Sequence, residues 1–261
     1  MIDFDDRLAL GLRKKMVEAI AEYRLIEAGD RVMVGVSGGK DSAVLLALLT
    51  DCQRRAPFDF DVEGVMLDQK QPGFDASAFK AWVERDVGAR LTIIERDTYS
   101  VVIEKTPANK IYCVVCSRLR RGILYEHAFQ NGFTKLALGH HREDVSETLL
   151  LNLFYSGQIS SMPPRFVSDD QRNTVIRPLF RMPETEIAAL ALDWKIPVIP
   201  CNLCGSQEGL KRKQIKKLLV SLSATIPDIH NSIAGAVANV KRSHLADAAL
   251  WDFVENSPAA L

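Results

Sequence analysis

Two kinds of residue in this chain are spaced for chemistry. One is the run Ser37-Gly38-Gly39-Lys40-Asp41-Ser42; the other is a pair of C-x-x-C spacings, Cys113 with Cys116 and Cys201 with Cys204. The run suits an anion. Two adjacent glycines let a backbone approach a ligand closely, and a helix that follows offers unpaired N–H groups and the positive end of its dipole. Lys40 adds a mobile cation. A Walker A loop is excluded, because it needs Gly, four residues, then Gly-Lys-Ser/Thr; here Gly35 is only four positions before Gly39, and Asp41 replaces the magnesium-binding hydroxyl. A carboxylate beside a phosphate cradle implies a divalent cation bridging the two.

The thiols carry a second chemistry. Four of the five cysteines fall in the two pairs, and in a reducing compartment that pattern favours metal or redox chemistry over structural disulfides. Spacing alone accommodates a tetrahedral zinc site and an iron–sulfur cluster equally. Cys52, near the end of an apolar helix, reads as a packed core residue. Gly139-His140-His141-Arg142-Glu143-Asp144 ends an apolar strand, where a histidine pair serves packing and hydrogen bonding, nucleotide contact or proton transfer. His127, His230 and His244 carry no motif and read as structural, and Trp194 and Trp251 as core or interface residues.

Regular elements must position these groups. Leu8, Leu12, Met16, Val17, Ile20 and Leu25 have near-helical spacing, so an amphipathic helix spans about 7–28. The β-branched run 31–36 predicts a buried strand that feeds the glycine loop and then a helix to about Arg55, stopped by Pro57. Strands follow at Val62–Leu67, Leu91–Ile94 and Lys135–Leu138, with helices at Ala76–Val87, from Ser117 to Asn131 after a loop that delivers Cys113–Cys116, and at Val145–Tyr155. Thr98–Lys105 is short and β-branched, and Pro107-Ala108-Asn109-Lys110 is a loop. Residues 157–183, with Met162-Pro163-Pro164 and Arg177-Pro178, predict a long, partly extended loop; helices at Glu184–Trp194, Leu210–Leu222 and Ile229–Val240 complete the chain.

Alternation of strand and helix indicates a doubly wound α/β fold with a largely parallel, five-stranded sheet. The expected organisation is a helical segment over 1–28, an α/β domain over 29–204 and a helical part over 205–261. Length and a 47% hydrophobic content support a sizeable core. No window reaches the ~20 apolar residues of a membrane span, and Asp3, Asp5 and Asp6 make an acidic start unlike a secretory signal, which implies a cytoplasmic protein. With 33 basic and 33 acidic residues the net charge is zero, so a polyanion partner can only be argued from local patches. Lys211, Arg212, Lys213, Lys216 and Lys217 form one such patch; alone, it reads as a solvated helix face.

Ser37–Ser42 resembles the PP-loop of the ATP pyrophosphatases, which split ATP between its α- and β-phosphates and transfer AMP to a substrate oxygen. Together with Leu67–Gly73, Cys113–Gly122, Gly139-His140-His141, Met162-Pro163-Pro164 and Pro200–Ser206, it resembles the tRNA-cytidine 2-sulfurtransferases, the TtcA family. The likeness covers residues 37–206 and extends to about Phe253. It implies conversion of cytidine 32 of tRNA to 2-thiocytidine with ATP, magnesium and a [4Fe-4S] cluster, a homodimer, and sulfur from a cysteine desulfurase; rival readings are a tRNA-uridine thiolase and a non-catalytic nucleotide- and zinc-binding protein.

The resemblance also assigns residues. Ser37, Gly38, Gly39, Lys40, Asp41 and Ser42 are implied to bind ATP, with Asp68, Gly139 and His140 near it. Lys40, Asp41 and Asp144 are implied to be catalytic, with Asp144 facing Asp41 as second magnesium ligand. Glu143 departs from the family's usual pair of aspartates and equally reads as an acid at a helix N-terminus. Cys113, Cys116 and Cys204 are the implied cluster ligands, Cys201 being the rival to Cys204. Arg118, Arg120, Arg121, Lys211, Arg212 and Lys213 are the implied phosphate contacts to nucleic acid or ATP.

Overall fold

The computed structural model describes residues 2–105, 112–199 and 207–253, with backbone only for 112–114 and 207–210. Helix α1 (Arg7–Tyr23) starts where the Asp6 carboxylate accepts the Leu8 N–H, 2.8 Å away. It ends at Arg24, which takes a left-handed φ of 48°, short of the residue 28 expected from periodicity. Strand β1 (Arg31–Val36) then leads into α2 (Lys40–Arg55), followed by β2 (Asp61–Asp68), α3 (Ser77–Trp82) with one π-helical turn (Val83–Val87), and β3 (Leu91–Glu95). The remaining elements are α4 (Tyr99–Lys105), α5 (Tyr112–Gln130), β4 (Lys135–Ala137), α6 (Arg142–Tyr155), β5 (Arg165–Val167), β6 (Thr174–Ile176), α7 (Glu184–Asp193), α8 (Gln207–Ser223) and α9 (Ile229–Ala238).

The six strands form one sheet in the order β3-β2-β1-β4-β6-β5. Five run parallel, and β5 adds an antiparallel edge paired to β6 through Phe166 and Val175. The doubly wound α/β fold is as expected, but the sheet has six strands and not the expected five, because the stretch 157–183, expected as loop, contains the β5–β6 hairpin. The short, β-branched stretch Thr98–Lys105 forms α4: Asp97 accepts the Ser100 N–H at 2.9 Å and its hydroxyl at 2.8 Å, and this local cap lets the run wind into a helix.

After the exposed Arg31, strand β1 is apolar because both of its faces are covered. Val32, Val34 and Val36 pack into the larger core with Leu12 and Met16 of α1, the whole of α2 from Ala43 to Leu49, and Ile187 and Leu190 of α7. Met33 faces the other way, with Val65, Leu136, Val175 and Ala128 of α5. Helix α1 thus shares the core of the α/β unit. Helices α8 and α9 pack on α6 through a separate cluster of Ile215, Leu219 and Ile229 against Leu150 and Leu151. From β1 the chain proceeds to β2 and β3 on one side and to β4 and β6 on the other, so the strand order reverses between β1 and β4. That reversal opens a crevice at the carboxyl ends of these two strands, the ligand position in open α/β sheets. No helix among the described residues is long and apolar enough to cross a membrane.

Candidate active site at the carboxyl ends of β1 and β4

The loop after β1 is built from its own short side chains. Ser37 N–H donates to Ser42 Oγ at 3.1 Å, Ser42 Oγ donates to the Gly39 carbonyl at 3.1 Å, and Gly39 N–H donates to Ser37 Oγ at 3.3 Å. Gly38 takes φ +82°, a conformation that disfavours any side chain. A Cβ there would also lie 2.9 Å from Cβ of Ile199, whose N–H donates to the Gly38 carbonyl at 2.9 Å. Gly39 caps α2 with extended backbone and no side-chain acceptor, leaving the start of the helix to a ligand. Gly139, at the end of β4, packs on this same turn: a Cβ would meet Ser42 N at 2.9 Å and Asp41 C at 3.0 Å.

Charges converge on the loop. Lys40 Nζ is 3.0 Å from Asp41 Oδ1 and 3.2 Å from Glu184 Oε1, and Glu184 Oε2 accepts from Lys216 Nζ at 2.6 Å. Burial opposes the Lys40 charge, but Asp41 and Glu184 outweigh it and raise its pKa. Burial likewise opposes the Glu184 charge, and Lys216 and Lys40 overcome it and lower the pKa. Beyond its ion pair with Lys40, the buried Asp41 Oδ1 makes no hydrogen bond among the described residues.

Past β4, His141 is sandwiched by acids, with Nδ1 3.2 Å from Glu143 Oε2 and Nε2 3.4 Å from Asp144 Oδ2. Burial works against its protonation, yet the Glu143 hydrogen bond and the charges of Asp144 and Asp41 raise its pKa. Asp41 and Asp144 therefore act on one imidazole from two strand ends. Asp144 also accepts the His141 N–H at 3.1 Å, which starts α6 at Arg142 rather than at Val145, and receives Arg212 at 3.2 Å. Glu143 accepts from Arg142 at 2.6 Å and from the Glu184 N–H at 2.8 Å. Against the pull of burial, these bonds and His141 hold its carboxyl down to about 2. His140 turns to Arg177, whose Nε donates to His140 Nδ1 at 3.2 Å; burial and then the Arg177 charge push His140 down to about 4, so it is neutral at pH 7.

A cleft of about 340 Å³ opens beside the loop, lined by Ser37, Gly39, Gln69, Phe74, Arg120 and Ile199 among others. Cys116 Sγ donates to Gln69 Oε1 at 3.1 Å, which puts a thiol at the cleft wall. Arg120 is thus the arginine that the structure brings to the cleft; Arg118 and Arg121 are exposed on α5. Asp68 borders it but accepts the Lys70 N–H at 2.7 Å and lies 3.3 Å from Lys70 Nζ. On α8, Arg212 is turned inward to Asp144 and Glu147, while Lys211 and Lys213 are exposed. The Cys113 side chain, Cys201 and Cys204 lie outside the described residues. Sequence reasoning missed Glu184, Arg177 and Gln69. The Pro183-Glu184 start of α7 was the available signal for Glu184, since an acid at that place belongs to a helix N-terminus.

Among the described residues no three His, Cys, Asp or Glu side chains gather into a self-sufficient metal site. Magnesium does not require one, because it is commonly held by one or two carboxylates, water and substrate phosphates. The Asp41 carboxylate, balanced by Lys40, with Asp144 acting on the same His141, is a donor set that fits it. The soft Cys116 sulfur at the cleft wall fits an iron–sulfur group in the same sense.

A family model described as a PP-loop domain matches residues 11–199. The curated tRNA-cytidine(32) 2-sulfurtransferase of Bdellovibrio bacteriovorus is 56% identical over 252 residues, covering 97% of this chain and 96% of that protein. Its counterpart in Coxiella burnetii is 48% identical over 248 residues, covering 94% and 96%. Among solved structures, the U34-tRNA thiolase NcsA from Methanococcus maripaludis with its [4Fe-4S] cluster aligns with a TM-score of 0.70 at 20% identity, over 88% of this chain and 78% of that one. That last likeness is one of fold.

Proposed function

The chain belongs to the PP-loop tRNA-cytidine(32) 2-sulfurtransferases, and from that premise we propose how its own residues divide the reaction. The enzyme binds ATP through the PP-loop and thiolates tRNA at cytidine 32. The C2 oxygen of cytosine leaves poorly, so it first attacks the α-phosphorus of ATP, expelling pyrophosphate. Sulfide then adds at C2 as the nucleophile, and AMP departs with the original oxygen and the electron pair of the broken C–O bond.

The loop Ser37–Ser42 and the start of α2 cradle the phosphates, and Lys40 meets the charge that grows on the departing pyrophosphate. Asp41, with Asp144, would hold magnesium, which when bound spreads that charge further. Gln69 and Arg120 line the cleft in which nucleotide and base meet. Neutral His140, fixed by Arg177, presents an uncharged ring at the end of β4, and His141, set between Glu143 and Asp144, keeps the two acids of α6 in place.

Cys113, Cys116 and one of Cys204 or Cys201 would hold a [4Fe-4S] cluster, which when bound supplies an open iron able to carry sulfur. The sulfur originates from a cysteine desulfurase as persulfide and reaches the sulfide level with two electrons from a cellular thiol, and the working enzyme is a cytoplasmic homodimer. Lys211, Lys213 and the exposed Arg118 and Arg121 contact tRNA phosphates. The domain scheme of 1–28, 29–204 and 205–261 belongs to this reading, with the last part meeting tRNA.

The observation that carries the proposal is the meeting, in one cleft, of the phosphate loop, Arg120 and the Cys116-bound Gln69. Nucleoside analysis of tRNA from cells lacking the protein tests it. Loss of 2-thiocytidine that returns with the wild-type gene is expected; 2-thiocytidine that persists in the absence of a redundant enzyme overturns it. Anaerobic purification with metal and sulfide analysis tests the cluster, and stoichiometric zinc without iron would count against it.

A further inference from the structure

The basic helix α8 carries no aromatic residue within its run of lysines, but the fold supplies one from elsewhere. Tyr155, the last residue of α6, is 47% exposed, and Lys211 Nζ sits 4.5 Å from the centre of its ring. Its hydroxyl donates to Gln214 of α8 at 3.3 Å, fixing the ring edge against the helix while a face remains open to solvent. Phe154 beside it is 55% exposed. An exposed ring beside Lys211, on a helix whose Lys213 and Lys217 are also exposed, is poorly placed for water and well placed for a stacked, negatively charged strand.

The seam between α6 and α8 also leads to the chemistry. At its near end Arg212 reaches Asp144 at 3.2 Å and Thr148 at 3.1 Å. From Asp144 to Tyr155, α6 climbs roughly 16 Å at the helical rise of about 1.5 Å per residue, the span of a few nucleotides. A strand whose cytidine enters the cleft and whose flank follows this seam meets the tyrosine.

We propose that the α6–α8 seam docks the unpaired RNA flanking the target cytidine, with Tyr155 stacking on one base and Lys213 and Lys217 contacting its phosphates. The proposal rests on the tRNA reading above and adds to it a surface and a stacking residue. The occupant is RNA because positive charge and exposed rings coincide here, a combination suited to single strands.

The test is binding of unmodified substrate tRNA to the full-length enzyme across a salt series, using Tyr155→Phe, Tyr155→Leu and the double change Lys213→Gln, Lys217→Gln. A second readout is tRNA carrying 2-aminopurine next to the target cytidine. Tyr155→Phe keeps a stacking face and should bind within about twofold of wild type and quench the probe. Tyr155→Leu should weaken binding by roughly 5- to 100-fold, abolish the quench and leave the salt slope and ATP binding unchanged. The double lysine change should lower the salt slope by about 0.7 per lysine. A Tyr155→Leu protein with wild-type affinity and quench overturns the platform. So does a Tyr155→Leu protein whose sedimentation changes while its tRNA affinity does not, because the face then joins copies of this chain. Wild-type protein that binds no tRNA at all overturns the functional reading itself.

Discussion

The ammonium of Lys40 lies 3.2 Å from Glu184, a carboxylate 144 residues further along the chain. The phosphate-loop lysine is therefore held from two sides, by its neighbour Asp41 and by the first residue of α7. Incoming phosphate must compete with Glu184 for that cation. Glu184→Gln should raise ATP affinity a few-fold, while releasing Lys40 from its fixed place and slowing turnover by about tenfold. Because these ion pairs are partly exposed, the melting temperature should move little. ATP titration and single-turnover thiolation measure the two effects, and no change in either removes Glu184 from the site.

Asp41 Oδ1 is buried, meets the Lys40 ammonium at 3.0 Å and makes no geometric hydrogen bond among the described residues, so it can take a ligand once Lys40 turns to phosphate. Asp41→Ala and the nearly isosteric Asp41→Asn should both lower ATP-dependent thiolation by at least roughly 100-fold with the fold intact. Circular dichroism and pyrophosphate release check this together. Wild-type pyrophosphate release from the asparagine variant would refute the assignment.

Gly139→Ala forces a methyl group onto the backbone of Ser42 and Asp41, neither of which can rotate away. The expected cost is about 1–3 kcal/mol, with a disproportionate loss of ATP binding because the displaced atoms belong to the phosphate loop. Gly11→Ala is the control: nothing lies within 4 Å of its Cβ in α1, so relief of glycine's helix penalty should stabilise by up to about 1 kcal/mol.

His140 links stability to pH. Its folded pKa, pushed by burial and then by Arg177 to about 4, lies below the unfolded value of 6.5. Over that window the unfolded chain binds more protons, so stability is complete above 6.5 and declines as pH falls toward 4. The total is on the order of 2–3 kcal/mol. Thermal melts should show this acid limb in wild type and a shallower one in His140→Gln, which cannot titrate; identical limbs would remove His140 as the cause.

Cys52 should be inert in the folded protein. Burial, reinforced by the Asp51 charge, pushes its thiol up to about 12, which leaves almost no thiolate at pH 8. Alkylation followed by peptide mapping should find Cys52 modified only after unfolding, and fast labelling in native protein would contradict its place in the core.

Local pattern made much of this molecule legible. The β-branched run before Ser37 is strand β1, the apolar run after it is α2, and the polar residues after Ala137 do reach the phosphate loop. What escaped was long-range or hidden by composition. Thr98–Lys105 shows only a short β-branched composition locally, and the Asp97 cap decides that it is helical. Short strands such as Thr174–Ile176 gain their identity from pairing with β4, which no local window contains. Glu184 and Arg177 matter only through partners more than thirty residues away in sequence, Lys40 and His140. The ring of Tyr155 belongs to α8's lysines only once α6 and α8 are packed.

The single backbone bond from Ile199 to the Gly38 carbonyl sets how far this protein can be dissected. A fragment that stopped after β6 would retain every strand of the sheet, yet it would lose the residue that pins the loop's left-handed glycine. The PP-loop is thus no transplantable cassette. The smallest piece expected to close properly around ATP must run on through Ile199, and a shortened enzyme or a chimera has to carry that distant residue along with the loop it serves.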